Sequence, residues 1–141
     1  MNWTTIKASI KSKLEGLAGT GKPLAFVYDE HRTTFEGYPT ATFEPTDMDS
    51  DFSTSQENMR SYVFRVIVHQ EMESAGQGSS IDILASAIDA ITDAFDNDYT
   101  LGGLVIEVQA VPARWGVMPA DNGFIRYAEL VINCQVLYQL L

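Results

Sequence analysis

An unbroken alternation near the end of the chain constrains the fold more than any other feature. In the segment RYAELVINCQVLYQLL, every second residue from Ala128 to Leu140 is apolar. Side chains of a strand point alternately to its two faces, so this segment predicts a long strand that must pair into a sheet. The apolar positions are Ala128, Leu130, Ile132, Cys134, Val136, Tyr138 and Leu140.

Two other segments show helical spacing. Residues 2–17 carry apolar residues three or four positions apart, and the following GLAGTG supplies glycines that end a helix. Residues 79–98, SSIDILASAIDAITDAFDND, predict a second helix with Ser79 or Ser80 as its N-cap. The two apolar stripes are Ile6, Ile10, Leu14 and Leu17, and Ile81, Leu84, Ile88, Ile91 and Phe95.

The remaining apolar segments predict strands. KPLAFVYDE and FEGYPTATFEP would form a hairpin turned by HRTT, and Pro39 would place the second strand at a sheet edge or a bulge. The polar stretch TDMDSDFSTSQEN predicts a loop before the strand ENMRSYVFRVIVHQEM. GGLVIEVQAVPARW and the final strand would form a long hairpin through the turn-rich GVMPADNG.

Strands and helices are thus segregated along the chain. This order predicts an α+β fold: a mostly antiparallel sheet of about five strands with two helices packed on one face. The chain has 141 residues, no internal repeat and no linker, so we expect a single domain over residues 1–141.

The charge balance restricts the function. Nine Lys and Arg residues against 19 Asp and Glu residues give a net charge of −10, which argues against a protein that reads nucleic-acid sequence. Acidic walls are compatible with a pore that DNA passes without sticking, although simple solubility explains the same charge. We expect no membrane span, since no apolar run approaches the ~18 residues that would cross a membrane. We also expect no export, since the start MNWTTIKASIKSKL has no apolar signal core. Cys134 is expected to be a buried thiol.

No segment matches a site for chemistry. Asp47, Asp49 and Asp51 have the spacing of a calcium loop, but Phe52 replaces its glycine and Asn58 its closing glutamate. His31 and His69 have no partner at metal-ligand spacing.

Two further motifs also fail. GLAGTGK places Pro23 where a phosphate loop needs a hydroxyl residue, and it follows a helix rather than a strand. Asp29 and Glu30 are adjacent in a strand and so point to opposite faces. We therefore predict that the protein is not an enzyme and has no catalytic residue, no cofactor and no metal.

The remaining candidates for function are residues that could form a contact surface. Trp115, Val117, Met118 and Pro119 crowd the tip of the last hairpin, where they form either a local core or an anchor for a neighbouring subunit. The edge stretch with Tyr38 and Phe43 could contact a neighbour as well. The lysines of the first helix form either a solvated face or a contact with an acidic neighbour. The candidates for a subunit interface are Trp115, Met118, Tyr38, Phe43, Lys7 and Lys11.

The whole pattern resembles the tail terminator, or tail completion, proteins of long-tailed bacteriophages. The resemblance covers nearly the full chain and lies in the first helix, PLAFVYDE, GYPTATFEPTDMDSDFSTSQENMRSYVFRVIVHQE, IDILASAIDAITDAF and RYAELVINCQVLYQL. It implies an α+β fold and a hexameric ring that caps the finished tail tube, stops its polymerisation and offers the surface for head–tail joining. The partners implied are the tail tube protein and the head–tail connector protein, with DNA passing through the lumen. Assembly in the host cytoplasm and a place in the virion are implied too.

Two alternatives stay open. One is a neck or head-closure protein of the phage connector, which sequence separates poorly from a terminator. The other is a small-ligand binding domain or enzyme on the open face of the sheet, for which Arg65, His69, Tyr62 and Glu107 are the available polar strand residues.

Overall fold

The computed structural model describes residues 3–30, 32, 35–54, 57–72, 76–120 and 123–139. At residues 47–54, 57–58, 76–79, 120 and 138–139 it describes the backbone alone. Within these ranges the chain forms one mixed sheet and two helices, which confirms the predicted α+β class. In chain order the elements are α1 (Trp3–Glu15), β1 (Phe26–Tyr28), β2 (Thr40–Thr54), β3 (Glu57–Glu71), α2 (Gly76–Asp96), β4 (Glu107–Ala120) and β5 (Gly123–Gln139).

The strands lie in the order β1-β2-β3-β5-β4. β3 and β5 form the centre of the sheet and pair antiparallel along the whole length of β3. β4 lies at one edge, where it pairs with β5. At the other edge the three residues of β1 run parallel to Thr40–Thr42 and leave the rest of β2 without a partner strand on its outer side, as far as the structure describes the chain.

Both helices pack against one face of the sheet and enclose the core. On β5 the buried side chains alternate from Ala128 to Val136, as the sequence predicts. At the start of α1, Trp3 meets Tyr62 and Phe64 of β3 edge-on, with ring centroids 4.8 and 5.2 Å away. The helices contribute the fully buried side chains Ile6, Ile10, Leu14, Leu84, Ala87, Ile91 and Phe95.

The segment 35–38 covers part of the opposite face of the sheet. The Phe35 ring lies 4.4 Å from the His69 ring and 5.8 Å from the Tyr38 ring, centroid to centroid. His69 is fully buried, and its Nδ1 lies 3.3 Å from the carbonyl oxygen of Thr40. The rest of this face is half-buried on the central strands, at Val63, Arg65, Ile67, Val131, Asn133 and Gln135.

A register shift follows a proline in each of the two outer strands. On β2 the shift lies between Pro45 and Asp47, and on β4 it lies between Pro112 and Arg114. Each shift inserts one extra residue into the outer strand, which is a β-bulge. Because the side-chain period of a strand is two, the bulge exchanges the two faces of the strand beyond it.

The prediction of a loop between the second and third strands is wrong. The stretch that begins at Thr46 continues β2 to Thr54, and β3 begins at Glu57. Asp47, Asp49 and Asp51 pair with Val63, Ser61 and Met59. The exposed edge of β3 supplies the hydrogen-bond partners that outweigh the low strand propensity of aspartate. An extended backbone also differs from the tight turns of a calcium loop.

The predicted hairpin between the first two strands is wrong as well. β1 is parallel to β2, with Phe26 opposite Thr40 and Tyr28 opposite Thr42. Strands that pair in parallel cannot be joined by the tight turn of a hairpin, because the connection must return to the starting end of the first strand. His31 and both threonines of the proposed HRTT turn lie outside the described residues.

Three element boundaries differ from the prediction. β4 begins at Glu107 rather than at the preceding glycines, and it continues through most of GVMPADNG to Ala120. α2 begins at Gly76, so neither predicted serine is its N-cap. Ser80 is instead buried, where its Oγ accepts a hydrogen bond of 3.1 Å from Arg126 Nε. Ile81 lies on the outer side of α2 and is 43% exposed, not in the core.

Candidate interaction surface

Three apolar side chains stand exposed at the far end of the β4–β5 hairpin. Trp115 is 46% exposed, Val117 is 47% exposed and Phe124 is 61% exposed. In the register of the hairpin, Trp115 lies opposite Ala128, while Phe124 lies opposite Pro119. Directly paired residues of antiparallel strands project to the same face, so all three project to the helix side of the sheet. We call these three residues the distal patch.

The bulge on β4 creates this arrangement. Before the shift, Val108 and Ala110 face the helices and are buried. After it, the odd-numbered Trp115 and Val117 take over that side of the strand, because Ala113 is the extra residue. Strict alternation from Val108 would have turned the tryptophan to the opposite face.

The distal patch is exposed because the sheet is longer than the helix layer. The hydrogen bond between Ser80 and Arg126 marks the point where the first turns of α2 meet the hairpin. Residues nearer the tip of β5 have no helix above them in the described part of the chain, and burial stops at Ala128 on this side. A large aromatic side chain carries 150–250 Å², so the patch leaves on the order of 300 Å² of apolar surface in water. This area lies at the lower end of the range for the largest apolar patch on an ordinary monomer, and such patches are often functional.

The predicted cluster at the hairpin tip is divided between two faces. Met118 lies opposite Ile125, which is buried on the side away from the helices. On that side Tyr127 also lies against Gly116, where a β-carbon would come within 2.8 Å of the tyrosine Oη. Met118 therefore belongs to a local contact on one face, and Trp115 to an exposed patch on the other. Phe124 was not predicted as a surface residue, although its position directly after Gly123, next to a turn, could have indicated that it is exposed.

The two interface candidates of the edge stretch, Tyr38 and Phe43, also lie in different environments. Phe43 is 1% exposed and its ring centroid lies 6.4 Å from that of Phe64, so it belongs to the core. The prediction that Phe43 contacts a neighbouring subunit is wrong, because it points inward from β2. Tyr38 is half-buried beside Phe35 and keeps part of its surface in solvent.

The lysines of α1 have partners within the chain. Lys7 Nζ lies 3.7 Å and Lys11 Nζ 3.5 Å from the same carboxylate oxygen of Asp29. Partial burial raises the pKa of Asp29, but the charges of Lys11 and Lys7 outweigh it and hold that pKa below its usual value. Both lysines remain 37–41% exposed, so contact with an acidic neighbour stays a prediction.

The third lysine of α1 joins the helix to the segment after α2. Lys13 Nζ donates a hydrogen bond of 2.8 Å to Asp98 Oδ2, and the Gly102 amide donates one of 2.9 Å to Asp98 Oδ1. These two hydrogen bonds lower the pKa of the Asp98 carboxyl. The contact fixes the loop that leads into β4.

The polar residues nominated for a ligand site do not converge. Tyr62 is buried on the helix side, whereas Arg65 and His69 lie on the opposite face of the same strand. Arg65 forms an ion pair with Glu44. Glu107 lies two strands away and about 13 Å further along the sheet, at roughly 3.3 Å per residue. Its carboxylate accepts a hydrogen bond of 3.1 Å from Gln109.

Within the described residues, no group of three His, Cys, Asp or Glu side chains is arranged to hold a metal ion. Cys134 is fully buried on β5, and burial raises the pKa of its thiol to about 12. A thiol with such a pKa does not act as a nucleophile near neutral pH.

A groove of about 370 Å³ lies between the turn after α1 and the outer side of α2. Lys22 and Asp82 lie in its lining, with two prolines between them and no histidine or cysteine. Its lining offers two opposite charges and apolar rings, but no arrangement of an acid and a base for catalysis.

The chain matches no protein-family model and no curated protein sequence. Among the residues that the structure describes, no helix is long and apolar enough to cross a membrane.

Proposed function

We propose that this protein is a structural component of a phage tail, a ring of about six copies that caps the tail tube. The ring ends polymerisation of the tube protein and offers the surface that joins the tail to the head connector. In this proposal the protein carries out no chemistry. Its place is the virion, after assembly in the host cytoplasm.

The distal patch is the observation that carries this proposal. A chain that leaves Trp115 and Phe124 exposed on the two strands of a hairpin has a surface suited to another protein subunit. The α+β sheet with both helices on one face also agrees with the fold that the resemblance to tail terminators implies.

The charge of the chain supports the proposed lumen. A net charge of −10 repels phosphate, so DNA would pass a ring of such subunits without being held. Within the described chain, Arg65 and Arg114 both pair with glutamates on the sheet, at Glu44 and Glu129. Such pairing leaves these two cations less available to bind a passing phosphate.

The test is assembly of the purified protein with tail tubes of its phage. We expect rings in electron micrographs, a discrete mass of about six subunits in light scattering, and tubes that stop growing when the protein is added. Trp115→Ser should lose the capping activity, while Tyr99→Ser, also at an exposed aromatic residue, should keep it. A protein that stays monomeric at high concentration and leaves tube growth unchanged would refute the proposal.

A further inference from the structure

We propose that the distal patch binds a segment of another protein in which a carboxylate stands between large apolar side chains, and that Arg126 binds this carboxylate. We build here on the proposed function, because the same patch carries it, and we specify the chemistry of the partner. The partner must match a cation as well as an apolar surface.

Arg126 lies within the distal patch. It projects to the helix side of the sheet, directly opposite Val117 on β4. Phe124, two residues earlier on β5, projects to the same side, and Trp115 lies diagonally across on β4. The three exposed apolar side chains of the patch are therefore neighbours of one arginine.

Arg126 has no counter-charge among the side chains beside it. Across the strands its neighbours are Val117 on β4 and Gln70 on β3, and along β5 they are Phe124 and Ala128, all of them uncharged. Within the described residues Arg126 forms no ion pair, whereas five other cations do: Lys7, Lys11, Lys13, Arg65 and Arg114. A carboxylate from a partner would supply the missing charge.

The first carboxylate of α2 faces another way. Ser80 contacts Arg126, and Asp82 follows two residues later. Two residues turn a helix by about 200° at 3.6 residues per turn, so Asp82 lies on nearly the opposite side of α2 from Ser80. Asp82 is exposed there and lines the groove with Lys22. It therefore does not neutralise the arginine of the patch.

Ser80 fixes the position of the guanidinium. Its Oγ is fully buried and accepts the hydrogen bond of 3.1 Å from Arg126 Nε. Arginine has five N–H donors, so four remain on the two terminal amino groups. These groups match the two oxygens of a carboxylate, and the side chain keeps part of its surface in solvent. Because Nε is already held, less conformational entropy is lost on binding.

The apolar neighbours of Arg126 determine what flanks the carboxylate. Trp115 and Phe124 stand about half exposed on either side of the site. Large apolar side chains of a partner would cover them, and this burial contributes to binding. The same cover excludes water from the ion pair, which strengthens the attraction between guanidinium and carboxylate.

A protein segment fits the site better than a nucleic acid does. Binding of a phosphate backbone needs several cations on one surface. Arg114, the other arginine of the hairpin, pairs with Glu129 on the opposite face of the sheet. One arginine in a chain of net charge −10 is suited to a single carboxylate, not to a row of phosphates.

The first experiment selects peptides from a random library displayed on yeast, with the full-length wild type as the target. Trp115→Ser serves as the counter-target, so that only peptides that depend on the distal patch are kept. We expect the enriched peptides to carry an aspartate or glutamate beside aromatic or large aliphatic residues. Enriched peptides without an acidic residue, or no enriched peptide at all, would overturn the inference.

Calorimetry then measures the affinity of an enriched peptide. Arg126→Gln should weaken binding about tenfold or more, because a hydrogen bond between charged groups is lost. Changing the acidic residue of the peptide to its amide should have a similar effect on the wild type, and the two changes together should cost little more than either alone. High salt should weaken binding as well.

Arg114→Gln is the matched control, because it removes an arginine from the same hairpin on the opposite face. It should bind the peptide like the wild type. Circular dichroism and thermal melting verify that both variants are folded. If Arg126→Gln does not fold, the acidic peptide and its amide form are compared on the wild type, and equal affinities would contradict the role of a carboxylate.

The outcomes separate this inference from the proposed function. If the wild type and Arg126→Gln cap tail tubes equally well, the carboxylate contact is wrong and the capping role stands. If peptides bind through Arg126 but the wild type caps no tubes, the capping role fails and the chemistry of the patch stands. Single-stranded DNA that binds the wild type and not Arg126→Gln would identify phosphate as the ligand. A wild-type oligomer that Arg126→Gln loses, with no enriched peptide, would show that the patch binds a second copy; either result overturns the inference.

Discussion

The position of Phe43 leads to the sharpest prediction about the fold itself. This ring is 1% exposed, lies opposite Val66 in the register of β2 and β3, and packs near Phe64. Phe43→Ala would remove the whole of a buried aromatic ring and leave a cavity in the core between the sheet and the helices. Phenylalanine-to-alanine changes in a core cost about 3–5 kcal/mol, from lost transfer energy and from the cavity.

The loss should be large compared with the stability of the domain. A domain of this size has a free energy of unfolding of about 5–15 kcal/mol, so Phe43→Ala would remove about a fifth of it or more. With a urea m-value of about 2 kcal/mol/M, a loss of about 4 kcal/mol moves the unfolding midpoint by about 2 M. We expect that shift in urea titrations followed by circular dichroism, at a concentration where the chain is monomeric.

Trp115→Ala is the matched comparison. Its side chain is 46% exposed and lies outside the core, so the same assay should show a smaller loss, of about 2 kcal/mol at about 25 cal/mol per Å² of the surface it keeps from water. The reasoning is refuted if Phe43→Ala costs less than about 1 kcal/mol. It is refuted as well if that variant unfolds normally but no longer self-associates, since Phe43 would then contact a partner.

Two further predictions concern ionisable groups. Cys134 should not react with an aromatic disulfide reagent at mildly alkaline pH while the protein is folded, and should react at once in denaturant, because burial raises its pKa to about 12; rapid reaction of the native protein would place the thiol at the surface. For Asp98, the hydrogen bonds from Lys13 and Gly102 lower the pKa below 3.8, so its contribution to stability is present above pH 3.8 and is lost as pH falls through the folded pKa. Asp98→Asn should therefore be less stable than the wild type at neutral pH, and urea titrations well below pH 3.8 should show a smaller difference; an equal difference at both pH values would contradict the assignment.

The long periodic elements of this fold are predictable from the sequence. The alternation on β5 buries its apolar side chains from Ala128 to Val136, and the stripe on α2 buries them from Leu84 to Phe95, and such patterns have few alternative structures. The core face of β3 follows the same rule at Tyr62, Phe64, Val66 and Val68.

Elements held by backbone pairing are harder to predict. The second half of β2 contains alternate aspartates and few apolar residues, and it is a strand because the edge of β3 is available to it. β1 has three residues, and its parallel direction depends on a partner that is distant from any tight turn. Neither feature leaves a local pattern in the sequence.

Only part of the candidate surface was predictable, because the rest also depends on an irregular strand pairing that leaves no local pattern in the sequence. Trp115 is identifiable as an exposed anchor, but its face depends on the bulge after Pro112, which alternation alone does not reveal. Without that bulge, Met118 would occupy the helix side and Trp115 the other. Phe43 was wrongly predicted as a surface residue because Pro39 indicated an edge strand, while the side chain of Phe43 points into the core.

The proline and the bulge on each outer strand affect how the sheet could grow. A ribbon-like aggregate extends by adding strands to an open edge, and it needs regularly spaced amide donors along that edge. Pro45 and Pro112 each remove a donor, and the extra residue behind each breaks the spacing. We therefore expect newly synthesised chains at high local concentration to resist fibril formation through backbone pairing. Contacts between folded chains then depend on side chains of complementary shape and charge.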